Sequence, residues 1–460
     1  MKWAALLSFI LVAAGLTMAL RKDPRAAFVA AFALGFLPFV MAPWHLIVAP
    51  YSLPGWPGYV KGWEVGLIDA IAVACLIGIP RSRSELPFKY VFLLYIASTV
   101  IASFLAPNFK IAFSYPIQLA RIFLVFVAVA RLSSTEIGLK PIMQGLIIGL
   151  CYQAAIAIWA RLGGALQTGG SLGHQNLLGF VSHMAFIPAF GLLLSGLWRR
   201  WAIAGVISGA IVVALTVSRA TIAFAAIGLI ITYLLSATSH WSGRKLGVGL
   251  ASLALVGLSF PIIQSSFERR FAAQGKSSFI APDEEREAFE RAANTMIDEH
   301  PFGVGPNYYV VVVNTQGYAS RAGVGWSTGS RATNVHNSFL LIRAETGLFG
   351  LITIMLLFAT IAVSSLAHAF RTSRSAQADL LIGVVGSLAA VALHALYEWM
   401  LVTSPAQYLL AIVSGVAAGV IRQLKGGTVK TGLDASLANQ RDPLKIAVPA
   451  SSAAVGRSPG

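Results

Sequence analysis

Runs of apolar residues long enough to cross a bilayer recur along almost the whole chain, and one long polar stretch, residues 265–336, interrupts them. A membrane-spanning helix needs about 20 mostly apolar residues, with a range of roughly 17–25. Segments 3–20, 26–48, 65–80, 90–106, 111–130, 141–160, 177–198, 202–217, 222–236, 246–264, 338–366, 380–400 and 404–421 meet or approach that length. They predict an all-α polytopic membrane protein, a bundle of about 12–13 transmembrane helices with one large extracytoplasmic loop. Only 11% of the residues are charged and 57% are hydrophobic, where a soluble domain has roughly 25% charged. The expected division is an N-terminal bundle over 1–264, the loop over 265–336, C-terminal helices over 337–421, and a tail over 422–460. The tail is rich in Ser, Ala, Gly and charge and reads as disordered.

A net charge of +16 would suggest nucleic acid in a soluble protein. Here the charges lie in short connectors between spans, the positive-inside pattern, so no nucleic-acid partner is expected. Connectors 21–25, 81–89, 131–140, 199–201, 237–245 and 367–379, together with the tail, hold most of the Lys and Arg. The alternate short connectors hold only Lys2, Lys61, Lys110, Arg161 and Arg219. The first set is therefore cytoplasmic, and 49–64, 161–176, 265–336 and the N-terminus face the other side. A signal peptide is the competing reading of residues 1–20. Arg21-Lys22 directly after the apolar run, with no small-residue cleavage site, suits a span better. Cys75 and Cys151 both fall inside apolar runs and read as small buried apolar residues.

The polar residues that stand against this background are the candidates for chemistry. Arg219 follows Ser218 in the tight turn between two spans. It is either an interfacial anchor or an anion clamp, and arginine suits phosphate because its planar fork makes two parallel hydrogen bonds. Arg121 lies midway along a span, where a charge marks function or a structural pair with a carboxylate such as Asp69. The stretch Asp283–His300 predicts a helix with acidic residues in its first turn. Phe289, Ala292, Ala293, Met296 and Ile297 form an apolar stripe at helical spacing. That stripe would lie on the membrane surface or on the bundle and hold Arg286 near the headgroups. Pro301-Phe302-Gly303-Val304-Gly305-Pro306 is a turn-forming segment, not a dinucleotide fingerprint. It would let Asn307-Tyr308-Tyr309 pack back.

His336 sits where the loop meets the next span, bracketed by Asn334 and Asn337, with Arg343 and Glu345 further along. With a usual pKa of about 6.5 it can accept a proton at neutral pH. His174, in Gly173-His174-Gln175-Asn176, heads another span on the same side, and His394 and Glu398 lie near the same end of a third. The sequence has no metal-ligand spacing and no Walker loop, so neither a metal nor another cofactor is expected.

Several of these motifs together resemble a known family. Val335-His336-Asn337-Ser338-Phe339-Leu340 followed by Glu345-Thr346-Gly347-Leu348-Phe349-Gly350 looks like the His-Asn-x-x-Leu…Glu-x-Gly-x-x-Gly signature of the O-antigen ligase and O-antigen polymerase superfamily. Ser218-Arg219-Ala220, the loop with Arg286 and Pro301–Gly305, and Gly173–Gly179 resemble the same family in the same order. The resemblance implies a metal-independent, inverting glycosyltransferase of the bacterial inner membrane, with its active site facing the periplasm. Its donor would be an oligosaccharide on undecaprenyl diphosphate. Arg219 and Arg286, with Arg121 as a further candidate, would bind the diphosphate. His336 would be the catalytic residue, and His174, Asn337, Arg343 and Glu345 would contact substrate.

Two enzymatic readings share these motifs: a polymerase of exopolysaccharide or O-antigen repeats, and a ligase that moves a finished glycan to lipid A core. A polymerase would be expected to meet a chain-length regulator and a flippase. The segment 265–336 carries seven basic and eight acidic residues, which leans toward polymerase, because a dock for anionic lipopolysaccharide core should be more basic. A transporter is the remote alternative. It predicts repeat symmetry and polar breaks near mid-membrane, and neither is evident.

Overall fold

A computed structural model describes residues 2–80, 84–274 and 282–426. Along the chain the elements are α1 (Lys2–Lys22), α2 (Pro24–Phe36), the strands β1 (Ile47–Ser52) and β2 (Gly62–Gly66), α3 (Leu67–Gly78), α4 (Lys89–Ser103), α5 (Phe109–Ala112), α6 (Ser114–Leu132) and α7 (Glu136–Leu162). Then follow α8 (Gln175–Ser195), α9 (Arg199–Leu215), α10 (Arg219–Ser239), α11 (Gly243–Gln274), α12 (Pro282–Glu299), α13 (Tyr309–Thr315), α14 (Tyr318–Arg321), α15 (Thr328–Arg331), α16 (Ser338–Arg371), α17 (Ala376–Ala395) and α18 (Ser404–Gly426). Each apolar run has its helix, so the protein is an all-α, multi-pass membrane protein.

Among the described residues eight helices are long and apolar enough to cross a membrane. The expectation of about thirteen is met in helices but not in length. α2, α3 and α4 have 13, 12 and 15 residues, or about 18–23 Å at 1.5 Å per residue, against a hydrocarbon core of about 30 Å. The run 26–48 falls short because Pro38 sits in a single 3-10 turn and the chain then enters an antiparallel hairpin, Ile47 opposite Gly66. Sequence analysis read no strand there. At the other extreme α11 carries the run 246–264 on to Gln274, into what was expected to be loop. The expected tail 427–460 lies outside the described residues, and 422–426 are the last turn of α18.

α8 and α17 form the centre. Of their most apolar windows 89% and 83% are buried, against 11% for α1 at the edge. They pack backbone to backbone: a Cβ on Gly191 would lie 2.4 Å from the carbonyl oxygen of Asp379. Small residues allow this approach, which lipid-embedded helices use in place of a hydrophobic driving force.

The polar segment closes one end of the bundle. α12 turns its stripe inward, and Phe289, Ala292, Ala293, Met296 and Ile297 are all buried against α16. Of the two places expected for this helix, it takes the bundle. Residues 302–305 then run as a strap across a break in α16. The Val304 and Gly305 N–H groups donate to the carbonyl oxygens of Ala344 and Glu345 at 3.0 and 2.9 Å. Gly347 has φ 66° and ψ −170° inside α16, a conformation essentially confined to glycine. A Cβ there would sit 2.7 Å from the Phe302 carbonyl carbon, and one on Gly303 would sit 2.4 Å from the Glu345 carbonyl oxygen. The strap and the break therefore fit only as a pair.

The hairpin is tied to the same strap. Asn307, fully buried, takes φ 66°, and its amide exchanges two hydrogen bonds of 2.9 Å with the backbone of Val60. Lys2 Nζ donates to the Pro50 carbonyl at 3.1 Å, so α1 starts at the end of the bundle that carries hairpin and loop.

Candidate active site

Glu398 is the hub of this end. It lies in the turn after α17, held by its own N–H on the His394 carbonyl at 3.0 Å and by Ser338 Oγ on its carbonyl at 2.6 Å. Its side chain is 1% exposed. A carboxylate taken so far from water needs a partner for each oxygen. Oε1 accepts from Arg286 Nη2 at 3.0 Å and from Asn176 Nδ2. Oε2 lies 3.1 Å from His336 Nδ1. The partners come from α12, the first turn of α8, and the junction before α16, so one carboxylate gathers three parts of the chain.

A neutral histidine that gives its Nδ1 proton to a carboxylate keeps Nε2 free as an acceptor. The imidazole of His336 is 24% exposed, and the Phe289 ring backs it at 5.7 Å between centroids. The stripe that seats α12 thus also positions the histidine. Arg286 is 36% exposed and holds Glu398 through one nitrogen.

His174 caps α8: Nδ1 accepts from the Asn176 N–H at 3.2 Å. Burial lowers its pKa, Glu398 opposes that shift, and His336 adds to it. Gly179 lets α10 approach, because a Cβ there would be 2.0 Å from Thr221 Oγ1. The first turns of α8 and α10 therefore lie side by side, and Arg219 stands exposed at the start of α10. The turn before it is strained. Val217 has φ 46°, unusual for a β-branched residue and costing on the order of 1–3 kcal/mol. Ser218 then caps the helix through the Thr221 N–H.

Four of the predicted residues have no hydrogen bond or ion pair to Glu398. Arg121 belongs to a separate cluster: its guanidinium holds Asp69 at 2.8 Å, Glu64 at 3.8 Å and Tyr408 Oη at 3.0 Å. Of its two readings, the geometry is that of the structural pair. Glu345 is buried and accepts from the Tyr309 N–H at 2.9 Å and from Tyr59 Oη at 2.5 Å, so it anchors loop and hairpin to α16. Burial, helped by Glu345, raises the pKa of Tyr59 well above its usual value. Asn337 caps α16, its Oδ1 accepting from the Phe339 and Leu340 N–H groups at 3.0 and 3.1 Å. Arg343 lies apart from Glu398, on the wall of a cavity between α4, α12 and α16.

Residues 203–355, which hold Arg219, Arg286 and His336, match the family model described as O-antigen ligase. The match covers about a third of the chain. No curated protein matches the chain. The matched stretch stops before Glu398, and Asn176 precedes it, so the candidate site draws on residues outside the match. Asn176 received no role in the sequence analysis, although it ends the motif that contains His174. Glu398 was placed only near the same end. Its signal was a carboxylate closing an apolar run, expensive in a membrane unless partnered. His394, expected beside it, instead pairs with His183 at 3.1 Å inside the bundle, between the rings of Phe180 and Phe224.

Proposed function

We propose that the protein joins glycan repeats carried on undecaprenyl diphosphate, using the Glu398 cluster as its active site. The observation that carries the reading is the carboxylate shared by His336 and Arg286 at 3.1 and 3.0 Å, because it couples a base to a phosphate binder. The hydroxyl oxygen of the acceptor sugar attacks the anomeric carbon of the donor. The bond from that carbon to the diphosphate oxygen breaks, and its electron pair leaves with the diphosphate. The hydroxyl proton goes to His336 Nε2, and Glu398 stabilises the imidazolium that forms, as in other carboxylate–histidine pairs. Arg286 and Arg219 take up the charge that grows on the leaving group. Arg219 adds its charge to the N-terminal dipole of α10, a second favourable term for an anion. Attack opposite the leaving group inverts the anomeric centre. With the active site on the periplasmic face of the inner membrane, both lipid-linked substrates reach it from one leaflet.

The ligase reading keeps every one of these roles and changes the acceptor, and the description of the matched family favours it. The near balance of charge in 265–336 supports the polymerase. The test is purified protein with a synthetic undecaprenyl-diphosphate repeat unit and a chelator, products resolved by mass. A ladder of lengthened lipid-linked glycans, lost in His336→Ala, is the expected result. Transfer only after lipid A core is added would replace polymerase by ligase. No transfer under either condition, with active control enzymes, would refute the catalytic reading.

A further inference from the structure

A cavity of about 610 Å³ lies between α4, the α12–strap segment and α16. Ile101 of α4, Leu105 in the turn after it, and Leu348 and Phe349 of α16 line it, and all four are also exposed on the outside of the bundle. The cavity is therefore continuous with the apolar surface that lipid covers. Its polar lining includes Arg343 and Asp298. Arg343 is half-buried and makes no hydrogen bond or ion pair with any described residue. The other cations buried in the bundle differ in this respect: Arg121 holds Asp69 at 2.8 Å and Lys245 holds Asp379 at 3.1 Å. An arginine within a span costs roughly 2.5–3.5 kcal/mol at mid-bilayer, less near the interface, and an anion from outside the chain would offset that. Asp298, on the exposed face of α12, is an acceptor that a sugar hydroxyl could meet. An apolar groove, an unpaired guanidinium and a neighbouring acceptor together match a long-chain lipid whose phosphate carries a sugar.

We propose that this cavity is the acceptor site, holding a second polyisoprenyl-diphosphate-linked saccharide with its diphosphate on Arg343 and its chain in the α4–α16 groove. The inference rests on the polymerase reading, which requires two lipid-linked substrates at once. The spacing suits it. Arg343 lies five residues into α16 from Ser338, a rise of about 8 Å, and His336 stands two residues before that start, a separation a short oligosaccharide spans from an anchored phosphate to the base. α12 borders both places, with Phe289 against His336 and Ile297 at the cavity.

The experiment uses the full chain in nanodiscs of phosphatidylcholine, with undecaprenyl monophosphate as probe and native mass spectrometry to count bound lipid. Wild type should retain two probe molecules. Arg343→Gln should retain one, with affinity for the other lowered about tenfold or more, the loss expected for a charge-assisted contact. Leu348→Trp, which narrows the groove and leaves Arg343 in place, should lose the same molecule, and Arg286→Gln should lose the other. Equal binding by wild type and Arg343→Gln, or displacement of the second probe by ordinary phospholipid, would overturn the site. In the transfer assay Arg343→Gln should raise KM for the acceptor and leave donor binding unchanged. Two-site binding in a protein that never transfers sugar would end the polymerase reading and leave the lipid site standing.

Discussion

At the scale of single residues, the site turns on Glu398, whose contacts are with residues 62, 112 and 222 positions away. Such distances explain why sequence reading found His336, Arg286 and His174 through their local motifs and gave Glu398 only a loose place. The same limit applies to Arg121, whose partner Asp69 lies 52 positions away. Glu398→Gln keeps the shape but loses the charge that, on the proposed mechanism, steadies the imidazolium. Turnover should fall about a hundredfold or more, measured as glycan ladder formation at saturating donor. His174 yields a prediction in pH. Its folded pKa is lowered, chiefly by burial, so the unfolded chain binds its proton more readily. Stability from this residue is therefore present above the unfolded value of about 6.5 and is lost as pH falls below it. The melting temperature of wild type should drop as pH is lowered from about 7. His174→Asn, which keeps a capping side chain, should flatten that dependence. An unchanged pH profile in the variant would show that His174 does not titrate on unfolding.

At the scale of elements, sequence periodicity located α12 and its inward face, and composition located the strap. Neither could show that the strap crosses α16 at Gly347, because that crossing is a matter of backbone clearance rather than of side-chain pattern. Gly347→Ala places a methyl against Phe302 in a region closed to alanine. It should cost about 1–3 kcal/mol, read as a lower midpoint in thermal unfolding. Because α16 begins just after His336, the same variant should lose activity at temperatures where it is still folded. The hairpin was missed for a related reason. Its strands are short and carry Pro50 and paired Pro-Gly turns, and it is held by Asn307, a residue far off in the chain.

At the scale of the whole molecule, the number of apolar helices and their order were legible because burial in lipid writes itself into long apolar runs. Their lengths were not, since short helices at the hairpin end are completed by protein rather than by bilayer. Sidedness can be checked with single cysteines in a background lacking Cys75 and Cys151. Thr328→Cys and Lys2→Cys should both react with an impermeant maleimide on intact spheroplasts, and Arg374→Cys only after lysis. Reaction of Lys2→Cys only after lysis would separate the N-terminus from the hairpin that Lys2 touches. The interlock of strap and broken helix also bears on how such proteins can be recombined. Gly303 and Gly347 each leave room for the other's neighbours, so they must be inherited together. Grafting the polar segment of a relative onto this bundle should yield protein that fails to accumulate unless residues 343–350 travel with it. Crossover points for chimaeras, and the breakpoints tolerated by natural gene fusion, should then fall beyond this helix break rather than at the edge of the loop.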